Sequence, residues 1–495
     1  MDRVDRHSTN RKMRVPGYRD WIRGAILFSL LFVTSPGLGQ ENIPALVKKT
    51  GISIAVILNY DQQGKAISQG TGFFLNKEGD LITNYHVLQG ASRSEIRLSD
   101  GRGFPVKEIV AEDQEGDLMR VSVDIPGTMV HPLPISPTLP EVGEKILVIG
   151  TPLGLDQTVS DGIVSSIREI PGFGKMVQMT APISPGSSGS PVLNMKGEVV
   201  GVATFLIVLG QNLNFAIPAE RIVKMHAGQG STVSELAEKE RKEQLAQATE
   251  LYATGLRFVW AEKYEMALPF FIEAVQRNPN YAQAYFQIGY CMSTLGKHKE
   301  AIEPYQKALE LKPKDPTILN NLCAAYGKSG RYGEAARSCQ KAIELKPDLA
   351  EAHNNLGWTY HQMGRHQEAI QSCKTAIRLQ PDLATAHYNM GNGYAALKSY
   401  EEAVESYKQA IRLEFDYAEA HLNLGAAYHE LGRYEEAIDS YKRALLIKPS
   451  LPEGHLNLGM TYLRTGNRGS AIEAYKILKD LNPEMADRLF ALIYE

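Results

Sequence analysis

Cysteine is scarce in this chain, with four among 495 residues, and none precedes Cys291. A disulfide-dense scaffold is therefore excluded. Neither sign of charge is in excess. Lys plus Arg number 53 and Asp plus Glu 56, for a net charge of −3, which is a poor footprint for nucleic-acid binding. No run reaches the roughly 20 consecutive apolar residues of a spanning helix, so a polytopic membrane protein is excluded as well. What remains, at 43% hydrophobic and 22% charged residues, is a globular composition with chain enough for about three domains.

The N-terminus is basic, with Arg3, Arg6, Arg11, Lys12, Arg14, Arg19 and Arg23, and a short apolar run from Gly24 to Val33 follows. Small residues come next, and Gly37 and Gly39 suit cleavage before Gln40. This order reads as a secretory signal peptide over 1–39. An uncleaved anchor is the alternative.

Residues 41–225 contain short β-branched runs such as Ser53 to Leu58, Lys145 to Ile149 and Glu198 to Ala203, separated by turn residues such as Gly79-Asp80 and Asp100-Gly101. That grammar predicts an all-β sandwich or pair of barrels. Residues 226–247 begin Gly/Ser-rich and turn to mixed charge, which predicts a flexible linker and a solvated helical lead-in.

From residue 248 the chain repeats. Pro279, Pro313, Pro347, Pro381, Pro449 and Pro483 stand on one 34-residue grid. Ala267 to Ala471 mark a second grid, and Gly255, Gly289, Gly357, Gly391, Gly425 and Gly459 a third, with Cys323 in its gap. Seven units in register over 248–485 resemble the tetratricopeptide (TPR) repeat, followed by a C-terminal capping helix at 486–495. Each unit is then a helix-turn-helix whose apolar face is buried by its neighbours in a solenoid. Asn321, Asn355, Asn389, Asn423 and Asn457 share one repeat position. Such an amide ladder offers donors and acceptors to an extended peptide backbone, and the resemblance implies peptide or protein binding there. Packing alone is the competing explanation. The aligned His353, His387, His421 and His455 lack partners at metal-ligand spacing and read as structural. Cys323, Cys339 and Cys373 fall on packing positions and read as core residues, with a bridge in an oxidising compartment as the alternative.

Three strings in the first region carry chemistry only together. These are Thr83-Asn84-Tyr85-His86-Val87, Gly116-Asp117-Leu118-Met119 and Gly186-Ser187-Ser188-Gly189-Ser190. The order His, Asp, Ser on an all-β host is that of the chymotrypsin-type triad. With Thr71-Gly72-Phe73-Phe74, Gly150-Thr151-Pro152-Leu153-Gly154 and Asn214-Phe215-Ala216-Ile217-Pro218, the region resembles the HtrA/Deg branch of trypsin-like serine peptidases. The expected fold is a chymotrypsin-like double barrel followed by an all-α TPR solenoid.

A serine hydroxyl is a weak nucleophile and needs a base to take its proton. The resemblance assigns His86 as that base, Asp117 as its orienting carboxylate and Ser188 as nucleophile, with the N–H groups of Gly186 and Ser188 as the oxyanion hole. Asp113, four residues earlier, is a rival for the Asp role. Pro182, Ala203, Thr204 and Phe205 are uncharged where a specificity pocket is expected, so the predicted preference is a smallish apolar side chain. No cofactor or metal is implied. The chain departs from the family in that TPR repeats stand where a PDZ domain is usual.

The resulting expectation is an exported serine endopeptidase, in a bacterial periplasm or cell envelope, that acts on protein or peptide substrates. Its solenoid would bind a protein partner on the concave face. The competing expectation is a catalytically silent peptidase-fold adaptor whose repeats form an interaction scaffold.

Overall fold

The computed structural model describes residues 42–151, 157–170, 173–184, 186–208, 211–228 and 230–494, without the side chains of 205–208 and 211–213. The signal segment expected at 1–39 lies outside the described residues. The chain divides into two units, the first ending at Ala237 and the second running from Glu238 to Glu495.

The first unit holds two closed six-stranded barrels. The first barrel consists of β1 (Ile54–Tyr60), β2 (Ala66–Phe74), β3 (Asp80–Thr83), β4 (Arg93–Arg97), β5 (Gly103–Asp113) and β6 (Leu118–Val123), in the order β1-β2-β3-β6-β5-β4. The second consists of β7 (Lys145–Gly150), β8 (Thr158–Ile170), β9 (Gly174–Met179), β10 (Pro191–Asn194), β11 (Val199–Val208) and β12 (Gln211–Pro218), in the order β10-β11-β12-β9-β8-β7. This is the chymotrypsin-like double barrel. Strand alternation explains how the barrels join. Phe74 and Leu81 fill the first barrel's own core. Their neighbours Phe73 and Ile82 point the other way, into a cluster shared with Leu147, Ile149, Val202 and Phe215 of the second barrel. Each such fully buried side chain contributes roughly 1.5–3 kcal/mol.

The stretch expected to be a flexible linker is in part fixed to the first barrel. Gly228 N donates to Val110 O at 2.9 Å, and Ile109 N to Ser231 O at 2.7 Å. Thr232 and Glu235 form a reciprocal capping box, Glu235 N to Thr232 Oγ1 at 3.1 Å and Thr232 N to Glu235 Oε2 at 2.7 Å. A 28-residue helix, Val233–Trp260, starts there, and its Leu236 is buried in the barrel core.

The second unit is a TPR solenoid of paired helices, for example Ala350–Gln362 with His366–Leu379, ended by the helix Pro483–Tyr494. The glycine grid has a steric cause. A Cβ on Gly289, Gly391 or Gly425 would come within 2.7, 2.6 or 2.7 Å of the rings of Tyr305, Tyr407 and Tyr441. Where Cys323 replaces that glycine and Cys339 that ring, the two cysteines are joined by a disulfide, with Cα atoms 5.4 Å apart. They are therefore more than the plain core residues expected from their positions. Cys291 and Cys373 are free and buried, and burial pushes the Cys373 thiol up to about 12. The aligned histidines hold turns. Nε2 of His353, His387, His421 and His455 meets the carbonyls of Pro347, Pro381, Phe415 and Pro449 at 3.0, 3.1, 3.2 and 2.9 Å.

Candidate active site

His86 lies on a single helical turn, Tyr85–Leu88, that follows β3. Asp117 closes the turn between β5 and β6 in a left-handed conformation, with φ at 53°, a region costly for any residue but glycine. Hydrogen bonds hold it there, the first from its own N–H to Gln114 O at 3.2 Å. Its backbone carbonyl accepts from Asn84 Nδ2 at 2.9 Å and Tyr85 N at 3.1 Å. Its carboxylate accepts from His86 N at 3.0 Å, from His86 Nδ1 at 2.8 Å and from Thr204 Oγ1 at 3.0 Å. An ionised carboxylate can only accept, so Nδ1 carries a proton, and in the neutral ring Nε2 is the acceptor. The His86 side chain is 43% exposed, against 13% for Asp117.

Asp113 is occupied elsewhere. Arg221 Nε and Nη2 bind its two carboxylate oxygens at 2.8 and 2.9 Å, and Gly116 N donates to it at 2.9 Å. Burial acts to raise its pKa, but the bonds from Arg221 and Gly116 outweigh it and hold the carboxyl below its ordinary range. Arg221 also donates to Phe173 O at 3.1 Å, so it ties the Asp117 turn to the β8–β9 connection.

Ser188 is half-buried on the loop before β10. Thr71 of the first barrel anchors that loop, with its N–H on Ser188 O and its hydroxyl on Gly186 O, both at 2.9 Å. Thr151 N donates back to Thr71 Oγ1 at 3.3 Å. The loop fits closely. Gly189 has φ at 86°, and a Cβ there would lie 2.0 Å from Thr71 O. Gly186, with φ at 93°, is also left-handed. Ser187 N and Ser190 N are engaged by Ser184 O and Ser187 O.

The residues expected to line a specificity pocket differ in their surroundings. Ala203 is in the core of the second barrel. The Thr204 hydroxyl is bonded to Asp117. Pro182 is exposed, and its carbonyl accepts from Ser160 Oγ at 2.7 Å. The side chain of Phe205 lies outside the described residues. Thr204, expected in a specificity pocket, bonds the Asp117 carboxylate, and Thr71, part of a strand motif in the sequence, anchors the Ser188 loop. A threonine in a strand carries no mark of its partner.

In the second unit the amide ladder is largely inward-looking. Asn355 Nδ2 donates to Asn320 Oδ1 and Asn389 Nδ2 to Asn354 Oδ1, both at 2.9 Å. Asn423 Nδ2 reaches Asn392 Oδ1 at 2.9 Å, and Asn321 Nδ2 its own helix at Thr317 O, 2.9 Å. The donors of Asn355, Asn389 and Asn423 thus join successive repeats. Asn457, at the same position, accepts the Thr461 hydroxyl on its backbone carbonyl at 2.7 Å.

A family model for a trypsin-like peptidase domain matches residues 70–202. TPR models match residues 294–330, 325–364, 391–432 and 427–466, and further tetratricopeptide models match 350–383 and 452–485. Among similar proteins, Protease Do-like 1, chloroplastic, of Arabidopsis thaliana is 32% identical over 37% of this chain and 45% of its own length. The putative serine protease HhoA of Synechocystis is 36% identical over 32% of this chain and 42% of its own. A probable periplasmic serine endoprotease, DegP-like, of Pseudomonas savastanoi is 36% identical over 32% of this chain and 34% of its own. The chain thus spans less than half the length of each of these relatives.

Proposed function

We propose that this chain, a trypsin-like peptidase domain with HtrA/DegP homologues joined to TPR repeats, is an exported serine endopeptidase whose solenoid binds a protein or peptide partner. In this reading the peptidase domain spans 41–225 and the repeats 248–485.

The observation that carries the reading is the His86–Asp117 pair, with Nδ1 at 2.8 Å from the carboxylate, on a barrel that also grips the Ser188 loop through Thr71. His86 Nε2 takes the Ser188 proton as Oγ attacks the scissile carbonyl, and returns it to the leaving amine. Asp117 keeps the imidazole in the needed tautomer and stabilises the imidazolium. The N–H groups of Gly186 and Ser188 hold the oxyanion, each donor worth roughly 3–4 kcal/mol in the transition state. Water then hydrolyses the acyl-enzyme with His86 again as base.

Export is supported by the basic and apolar N-terminal order, by relatives named as periplasmic, and by the Cys323–Cys339 bridge, because disulfides persist in oxidising compartments. In the solenoid, Asn355, Asn389 and Asn423 donate to neighbouring repeats, which leaves Oδ1 and, at Asn355 and Asn389, the second amide hydrogen for a bound peptide.

The test is degradation of an unfolded protein, β-casein, by the chain from Gln40 onward. Fragments from the wild type and none from Ser188→Ala support the endopeptidase. Equal fragments from both, or none from either folded protein, refute it, and the second outcome favours the silent adaptor.

A further inference from the structure

A cavity of about 490 Å³ opens in the solenoid between three successive units, within the size range of ligand pockets. Trp358, Tyr388, Tyr400, Asn392, Asn423 and Glu430 are among its lining residues. The first helices of these units, Ala350–Gln362, Ala384–Ala396 and Ala418–Glu430, supply all of these except Tyr400, which begins the next helix.

The charge of the cavity is one-sided. Among the described residues, Glu430 is the one lining side chain that carries a full charge, and no lysine or arginine lines the cavity. The nearby cations are engaged on other rings. Lys374 lies over Tyr394, Lys408 over Tyr428, and Arg433 over Tyr428 at 4.4 Å, with Arg433 also paired to Glu436. Arg464 of the following unit acts on His429 and does not line the cavity. His361 does line it. Burial, and then its neighbour His366, push that imidazole below its ordinary value, so it is neutral near pH 7. Glu430 is exposed, and after burial its charge helps push the Tyr400 hydroxyl above the ordinary tyrosine value.

The polar groups also have a direction. Asn392 Oδ1 accepts from the Tyr407 hydroxyl at 2.8 Å and from Asn423 Nδ2 at 2.9 Å. These two donors fix which end of the Asn392 amide is oxygen. The Asn392 NH₂ and the Asn423 Oδ1 then remain as a donor and an acceptor, which suits a peptide group. Aromatic faces attract a cation through their quadrupole, and a carboxylate binds one by charge-assisted hydrogen bonds. An acidic side chain would meet Glu430 with no counter-charge.

We propose that this cavity takes a lysine or arginine side chain of an extended peptide, with the cation against Glu430 and the aromatic rings and the adjacent peptide group on Asn392 and Asn423. The inference rests on the reading of the solenoid as partner-binding and adds the chemistry of the partner.

The experiment uses the chain from Gln40 onward carrying Ser188→Ala, so that nothing is cleaved. Three acetylated, amidated heptapeptides, Gly-Ser-Ala-X-Ala-Ser-Gly with X as arginine, norleucine or glutamate, are titrated by calorimetry. The arginine peptide is expected to bind at least tenfold tighter than the norleucine peptide, and the glutamate peptide weakest. Adding Glu430→Gln should weaken the arginine peptide about tenfold and leave the norleucine peptide unchanged, with the helical circular dichroism intact. Equal binding of arginine and norleucine peptides, or no effect of Glu430→Gln, overturns the cation preference and leaves the partner-binding reading standing. Binding of none of the three overturns the inference and withdraws support from peptide binding by the solenoid.

Discussion

Thr204 Oγ1 donates to Asp117 Oδ2 at 3.0 Å, so the carboxylate that faces His86 in the first barrel is held by a hydroxyl on a strand of the second. Thr204→Val keeps the shape and removes the donor. The expected result is about a tenfold fall in kcat with KM little changed, since an interaction with the charged form of the pair is lost. The pH–rate profile should change with it. An unaltered kcat and profile would show that the hydroxyl serves packing alone.

Gly189 is placed where no side chain fits. Its φ is 86°, and an added Cβ would lie 2.0 Å from Thr71 O and 2.5 Å from Thr83 Oγ1. Gly189→Ala should displace the Ser188 loop and lower peptidase activity at least a hundredfold, while thermal stability drops by about 1–3 kcal/mol. Activity retained within a few-fold would contradict the close fit.

Arg221 and Asp113 join the Asp117 turn to the β8–β9 connection. Arg221→Met leaves a half-buried carboxylate with one partner fewer, so a loss of about 1–3 kcal/mol in denaturant unfolding is expected. The folded carboxyl titrates below its ordinary range. Its contribution is therefore present above the unfolded carboxyl value and is lost as pH falls through the folded one. Wild type and variant should converge in strong acid. A constant gap down to that range would contradict the assignment.

The solenoid should weaken in mild acid. Burial holds the imidazoles of His361, His421 and His429 below the ordinary histidine value. The unfolded chain then binds protons first, so stability is whole above that value and declines as pH falls through it. The thermal midpoint of the helical signal should drop between about pH 7.5 and 5.5, and less so in a protein carrying His361→Gln and His421→Gln. A flat profile would refute this.

The bridge between Cys323 and Cys339 closes a loop with a sequence separation of 16, for which chain entropy predicts about 3 kcal/mol. Without reductant, the unfolded protein should titrate two thiols, those of Cys291 and Cys373, and four after reduction. Four thiols in both cases would remove the bridge.

The two halves of the chain were legible in the sequence because each repeats a simple physical rule. Alternating apolar residues give barrels, and a 34-residue period gives helix pairs. His86, Asp117 and Ser188 stood out through their order and flanking motifs. What escaped were relationships across long separations. Nothing local in Thr204 announces Asp117, 87 residues away, and nothing in Thr71 announces Gly186, 115 away. Cys323 and Cys339 sat on two different grids whose facing in space emerges only from the helix pair. The amide ladder suggested a peptide surface, and nothing in its spacing announced that Asn355, Asn389 and Asn423 also donate to the preceding repeat. The Gly/Ser-rich stretch after residue 225 read as a linker, since pattern alone does not reveal that Ser231 pairs with Ile109.

Whether Ser188 is an activated nucleophile is read out by labelling the chain from Gln40 onward with a fluorophosphonate and locating the adduct by mass spectrometry. One adduct is expected, on Ser188, lost in Ser188→Ala and strongly slowed in His86→Ala. No adduct on the folded wild type, or an adduct whose rate is indifferent to His86, would contradict the activation of Ser188.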